Sequence, residues 1–300
     1  MSRWAFLASL CIFTQVSCLN VPSVSSRSMR QSSFLNKPRK PELRSPVKCL
    51  ATAGLAVSVG RDAASSLFGL GAATIWLKTV TSVATRGLVD PTISRKIIHC
   101  GSAPLFLLTW PLFSSSLTAR FFASAIPIFS LLRIIKASQG EKERDLLAAI
   151  SRSGGAHEAL GGPFIYSLNL LAATLFGWRT SLISVVAIAQ MAAGDGLADI
   201  IGRRFGASSW TFSPTKSMEG SAAFVVGGFV CSMALIGWLS SFKVLSLGYG
   251  SGWLSFAALA PRILGISLAC AAIELVTLVD DNYSVPVLAL VLGHIFLRAN

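Results

Sequence analysis

Charge is what this sequence has least of. Only 13% of its 300 residues are Asp, Glu, Lys or Arg, whereas 53% are hydrophobic and the mean hydropathy is +0.65. A soluble globular domain carries roughly a quarter charged residues, so an ordinary soluble core is excluded. No Cys-x-x-Cys pair occurs among the six cysteines, which argues against a zinc ribbon or a disulfide framework. Cys100, Cys231 and Cys270 lie in or beside apolar runs, where cysteine behaves as a small hydrophobe. There is no Gly-x-x-x-x-Gly-Lys-Ser/Thr loop, which excludes a P-loop nucleotide site. Runs of short alternating strands, the mark of a membrane β-barrel, are missing, and so is any internal repeat. No basic stripe is laid out for nucleic acid.

What is present is a set of apolar segments close to the roughly 20 residues that a helix needs to cross a bilayer. They are Ala63–Leu77, Ile97–Ala119, Phe121–Ile135 (interrupted by Pro127 and Arg133), Pro163–Gly177, Thr180–Gly194, Ala222–Ser241, Phe256–Val276 and Val285–Leu297. Backbone polar groups in lipid must be satisfied within the segment, which helices achieve. The expected fold class is therefore all-α: a polytopic membrane bundle of about six to eight spans, with polar loops at 136–162 and 195–220.

The net charge of +13 is uneven. Residues 1–50 hold eight Lys or Arg against the single acid Glu42, a net +7. Within them, Trp4–Phe13 is a short apolar run behind Arg3, followed by Val16-Ser17-Cys18, small enough for a signal peptidase. Ser23–Lys48 is rich in Ser, Arg and Lys, the composition of a transit peptide. Residues 1–49 are expected to be a cleaved plastid-targeting segment, either a transit peptide or a bipartite signal-plus-transit leader. Residues 50–300 are expected to form the membrane domain.

With thirteen acids in the chain, their positions are informative. On a helix, Asp195 and Asp199 share one face, and like charges at that spacing repel. A divalent cation is the natural compensation, and magnesium favours one or two carboxylates plus substrate phosphates. Gly194, Gly196, Gly202 and Gly206 would let a phosphate approach the backbone, and Arg203 and Arg204 would meet its oxygens. A solvated helix end with Asp near its N-terminus is the plainer alternative. Lys216, Glu219 and Gly220 stand immediately before an apolar span, Lys216 suited to a phosphate and Glu219 to a metal. Arg95, Lys96 and His99 occupy the edge of another span, where they suit a phosphate site or, for His99, a proton acceptor. An interfacial cation belt would also place them there. Asp280-Asp281-Asn282 sits between the last two apolar segments.

Taken together, Gly194-Asp195-Gly196-Leu197-Ala198-Asp199, Ile201-Gly202-Arg203-Arg204-Phe205-Gly206 and Lys216-Ser217-x-Glu219-Gly220-Ser221 resemble the polyprenol kinase family. Within it, the plant and algal phytol and farnesol kinases are the nearest in pattern. Arg95-Lys96-x-x-His99, Trp110-Pro111-Leu112-Phe113, Gly162-Pro163-x-x-Tyr166 and Asp280-Asp281-Asn282-x-Ser284 share the likeness, which runs from about Arg95 to the C-terminus. The resemblance implies a chloroplast membrane enzyme. It would transfer a phosphoryl group from CTP or another nucleoside triphosphate to an isoprenoid alcohol, phytol first, in salvage toward tocopherol. It would use Mg2+ held by Asp195 and Asp199, with Lys216, Arg203 or Arg204 neutralising the transferring charge. Glu219 would support the metal or Lys216, and an Asp or His99 would serve if a base is needed. A lipid cytidylyltransferase, which would leave a CMP unit on the lipid, is the rival enzyme. A transporter is the rival of another class, and it usually shows inverted repeats.

Overall fold

The computed structural model describes residues 46–139, 160–245, 253–276 and 280–297, so most of the segment expected to be a leader and the centre of the 136–162 segment, with Arg152 and Glu158, lie outside the described residues. The described chain is helical apart from one hairpin. Helix α1 (Pro46–Thr85) is followed by α2 (Pro91–Leu108), α3 (Ala119–Gln139) and α4 (Gly162–Ala172), the last prolonged by a π-turn over Ala173–Gly177. Then come α5 (Leu182–Ala189), a π-turn over Gln190–Gly194 and α6 (Asp195–Phe205), which join end to end. The hairpin of β1 (Ser209–Trp210) and β2 (Ser213–Ser217) is antiparallel. Helices α7 (Met218–Ser241), α8 (Trp253–Glu274) and α9 (Asp281–Phe296) complete the bundle.

Among the described residues, five helices are long and apolar enough to cross a membrane: Gly54–Thr85, Ala119–Gln139, Leu182–Phe205, Met218–Ser241 and Phe256–Glu274. The shorter α2, α4 and α9 pack among them, so the six to eight apolar segments read from the sequence correspond to long and short helices together. The α5–α6 helix is the hub. Its apolar window is 72% buried, against 11–39% for the other four spans, which turn large hydrophobics such as Phe68, Ile75, Phe121 and Val226 outward. In a bilayer that outward grease faces lipid.

Several boundaries differ from the sequence expectation. The segment 195–220 is not a loop over its first half, because α6 carries the helix on to Phe205. Gly194 does not break it: the space a side chain would take is filled by the Phe224 ring. The second span does not reach Ala119. It stops at Leu108, and Trp110–Leu112 makes a 3-10 turn around Pro111, a residue with no N–H to continue a helix. Pro127, by contrast, lies within an unbroken α3, as membrane helices tolerate.

Helix starts follow local chemistry. Asp90 accepts from Thr92 N, Ser181 from Ser184 N, Ser217 from Gly220 N and Asp280 from Asn282 N, each satisfying a donor orphaned at a helix start. Helix α7 lies close on α6 because it presents glycines. A Cβ on Gly227 would come within 2.6 Å of Leu197 and 3.0 Å of the Ala193 carbonyl oxygen. Gly227→Val is expected to lower stability by about 1–3 kcal/mol, measured as Tm in detergent. Gly265→Ala, with nothing within 4 Å of its Cβ, is expected not to lower it.

Candidate functional site

Helix α2 begins at Pro91 and holds Arg95, Lys96 and His99 on the face toward α6. Lys96 Nζ lies 3.0 Å from Asp195 Oδ2 and 3.7 Å from Asp199 Oδ2, and Arg95 reaches Asp199 at 3.9 Å. His99 Nε2 lies 3.1 Å from Asp195 Oδ2 and 3.0 Å from the Met191 carbonyl oxygen. Both partners are acceptors, so this nitrogen carries the proton. The Tyr166 hydroxyl fixes the histidine's backbone, donating to His99 O at 2.7 Å while accepting from Ala103 N at 3.0 Å. Asp195 is 5% exposed at its side chain and Lys96 12%. An ion pair at that depth is stable only when both partners stay together and are further hydrogen-bonded.

The second half of the site arrives from the other side. The β-hairpin ends at Ser217 and hangs Lys216 over the ends of α8 and α9. There Lys216 Nζ meets Glu274, the last residue of α8, and Asp281 Oδ2 at 3.2 Å. Burial works against the ammonium charge, but Asp281 and then Glu274 outweigh it and hold the Lys216 pKa above its ordinary value. Asp281 precedes the apolar run beginning at Val285. Burial and the nearby charge of Asp195 push its carboxyl up to about 6, with Lys216 opposing.

Asp195, Glu274 and Asp281 each offer a carboxylate oxygen, and the three lie within 4.8 Å of one another. Beside the expected Asp195–Asp199 pair, which Lys96 bridges, the carboxylates that converge on Asp195 are thus Glu274 and Asp281, while Arg203 Nε engages Asp199 Oδ1 at 2.7 Å, one turn along the same helix. An all-oxygen set of this kind fits a hard cation such as Mg2+.

Two cavities meet here. The first, about 760 Å³, is mainly apolar and runs between α1, α2, α3 and α4, past Leu77, Ile98, Leu105, Phe106, Ile126 and Leu170. The second, about 560 Å³, is polar and lies between α6 and the hairpin, with Asp199, Gly202, Arg203, Gly206, Thr215 and Gly220 in its walls. Lys96, Asp195, Lys216 and Asp281 line both.

Most of the residues expected from sequence are therefore gathered in one place, and four stand apart. Gly194 and Gly196 serve close packing, against Phe224 and the Cys100 sulfur. Arg204 is exposed and lies over the Phe205 ring. The Glu219 carboxylate turns toward the hairpin and accepts from Ser208 N at 3.2 Å, outside the polar cavity's wall. Glu274 was missed because it is a single acid closing an apolar run; its place at the end of a membrane helix was its only signal.

These features define a class: a membrane-type helical bundle in which a mainly apolar groove meets a polar chamber lined by carboxylates and basic side chains. The comparisons narrow it. The chain is 33% identical over 258 residues to phytol kinase 1, chloroplastic, of Arabidopsis thaliana, covering 85% of this chain and 83% of that protein. It is 34% identical over 258 residues to a probable chloroplastic phytol kinase of Triticum aestivum, covering 82% and 84%. To the chloroplastic farnesol kinase of Arabidopsis thaliana it is 32% identical over 217 residues, covering 71% and 68%. The chain belongs to the phytol and farnesol kinase family. It matches no family model and no solved structure.

The Lys96–Asp195 contact carries a structural consequence that separates from catalysis. Lys96→Met is expected to cost about 3–5 kcal/mol by leaving Asp195 buried beside too little positive charge. Adding Asp195→Asn is expected to restore most of the lost Tm without restoring turnover. A double variant no more stable than Lys96→Met would contradict the pairing.

Proposed function

We propose that this chain phosphorylates an isoprenoid alcohol at the surface of a plastid membrane. It takes the γ-phosphoryl group of CTP and passes it to phytol, whose monophosphate then feeds tocopherol synthesis. The observation that carries this reading is the wall shared by the two cavities. A bilayer-soluble alcohol and a water-soluble nucleotide need separate entrances and a common point of reaction, and Lys96, Asp195, Lys216 and Asp281 stand between an apolar and a polar chamber. The names of the relatives support the alcohol acceptor and the plastid, and the family resemblance supports CTP.

In this reading the alcohol oxygen bonds to the γ-phosphorus as the bridging bond to the β-phosphate breaks, and a nucleoside diphosphate leaves. The hydroxyl proton passes to a carboxylate, Asp195 or Asp281, or to solvent. Phosphoryl transfer of this kind depends mainly on positioning and charge stabilisation. Lys96 and Lys216 flank the reaction point and neutralise the phosphate oxygens. Arg203 and the glycines Gly202, Gly206 and Gly220 line the path of the nucleotide. Asp195, Glu274 and Asp281 would hold Mg2+, which supplies further charge neutralisation when bound. His99 holds Asp195 in place through its Nε2 proton, and Arg95 does the same for Asp199.

The test is a labelling assay on membranes carrying residues 50–300, given phytol, farnesol or geranylgeraniol with magnesium and γ-labelled CTP or ATP. Label is expected in a lipid monophosphate, most with CTP and phytol. Label that reaches the lipid only from the α-position would mean cytidylyl transfer. Saturable flux without nucleotide cleavage would mean transport. Asp281→Asn and Glu274→Gln are each expected to lower kcat about 100-fold or more in protein that still inserts. Full turnover in either would remove the carboxylate group from the mechanism.

A further inference from the structure

We propose that the apolar groove measures the length of the alcohol and that Gly69, Ile126 and Thr109 form its stop, set for a diterpenoid chain. This rests on the kinase reading above for the identity of the occupant, though not for the shape of the groove. The residues of α2 and its C-cap along the groove include Lys96, His99, Ser102, Phe106 and Thr109. Their spacing of three or four residues is one helix face. From Lys96 to Thr109 that face extends about 20 Å, at 1.5 Å per residue.

The neighbouring helices agree on which end is which. Trp76 of α1 sits beside Gly101 of α2, whereas Gly69 of α1 sits beside Thr109, so the two helices run antiparallel along the groove. Ile134 of α3 packs with Leu77 near the polar mouth, and Ile126 of α3 packs on Gly69 at the far end. Beyond Thr109 the path is shut. Trp110, Phe113 and Trp178 are buried, with ring centroids 5.2 Å apart for Trp110–Trp178 and 5.8 Å for Phe113–Trp178. Arg179 ties this plug together by donating to the Phe113 carbonyl oxygen at 2.8 Å.

An alcohol whose hydroxyl lies at Asp195 can lay its tail along this α2 face toward Thr109. Its last isoprene unit ends against Ile126, whose Cδ1 lies where a residue-69 side chain would be: a Cβ there would come within 2.3 Å of it. A side chain at 69 must displace that methyl group or enter the groove itself, since Gly69 and Ile126 both line it, and either change narrows its far end. Trimming Ile126 lengthens it. Farnesol, one isoprene unit shorter than geranylgeraniol, leaves the stop untouched and loses the contact energy of that unit. Apolar contacts of even one methylene are worth roughly 10-fold or more in specificity.

The experiment compares kcat/KM for phytol, geranylgeraniol, farnesol and the C25 prenyl alcohol one isoprene unit longer than geranylgeraniol in wild type, Gly69→Val and Ile126→Ala. It also maps where a geranylgeraniol analogue carrying a tail-end diazirine crosslinks in the wild-type membrane protein. Wild type is expected to prefer the two diterpenoid alcohols. Gly69→Val is expected to lower the diterpenoid-to-farnesol ratio at least about tenfold. Ile126→Ala is expected to keep the diterpenoids and to gain activity on an alcohol one isoprene unit longer. The label is expected on the peptides holding residues 69 and 126. Unchanged ratios in both variants, a wild-type preference for farnesol, or label near Arg95 or Asn282 would each overturn the stop. If wild type phosphorylates no alcohol yet the label falls at 69 and 126, the kinase reading fails and the stop stands. Wild-type turnover with the label elsewhere fails the stop alone.

Discussion

The site depends on one buried ion pair, Lys96 of α2 with Asp195 of α6 at 3.0 Å. Asp195 is the first residue after a π-turn in the most buried of the five long apolar helices, a place where an unpaired carboxylate would be very costly. Lys96 and His99 make it tolerable, and in doing so they fix how α2 sits against the hub. Since α2 forms one long wall of the apolar groove and α6 one wall of the polar chamber, the same contact sets where the two compartments join. π-turns recur at functional sites because the extra residue re-aims the side chains that follow, and here the residue re-aimed is Asp195.

Around that pair, packing and chemistry are divided between residues of the same type. Gly194, Gly196 and Gly227 let α2 and α7 approach the hub where side chains already fill the space. Gly202, Gly206 and Gly220 stand at the wall of the polar chamber, where Gly202 and Gly220 also bring the backbones of α6 and α7 together. The hairpin anchors itself by the Met218 N–H to the Ser208 carbonyl at 2.8 Å and by Trp210 Nε1 to Ser221 Oγ at 3.1 Å. So held, it carries Lys216 across to Glu274 and Asp281. Three carboxylates and two lysines are thus brought from five elements, with charges nearly balanced before any ligand arrives.

Much of this was legible in the sequence. The apolar runs told of a helical membrane bundle, and the scarcity of charge made Asp195, Lys216 and Lys96, each beside an apolar segment, stand out. What local reading misjudged follows from tertiary context. Residues 195–205 look like a loop by their Asp, Gly and Arg content, yet they stay helical because the glycines pack and the charges pair across to α2. Asp199 shares a helix face with Asp195, which suggested a shared metal. In the structure Lys96 stands between the two aspartates, and Arg203 one turn away engages the other Asp199 oxygen. Glu274 and Asp281 are far from Asp195 in sequence, and nothing in the pattern of either segment announces that their helix ends converge. Glu219 carries the family motif but spends its carboxylate on a backbone N–H of the hairpin.

The most direct measurement is a cryo-electron-microscopy map of the protein in lipid nanodiscs with phytol, Mg2+ and a non-hydrolysable CTP analogue. The expected density places the triphosphate between α6 and the hairpin, the alcohol chain along α2, and the hydroxyl and γ-phosphate together at Lys96, Asp195, Lys216 and Asp281. A nucleotide bound elsewhere, or an alcohol whose head lies away from Asp195 and Lys216, would contradict a reaction at the wall shared by the two cavities.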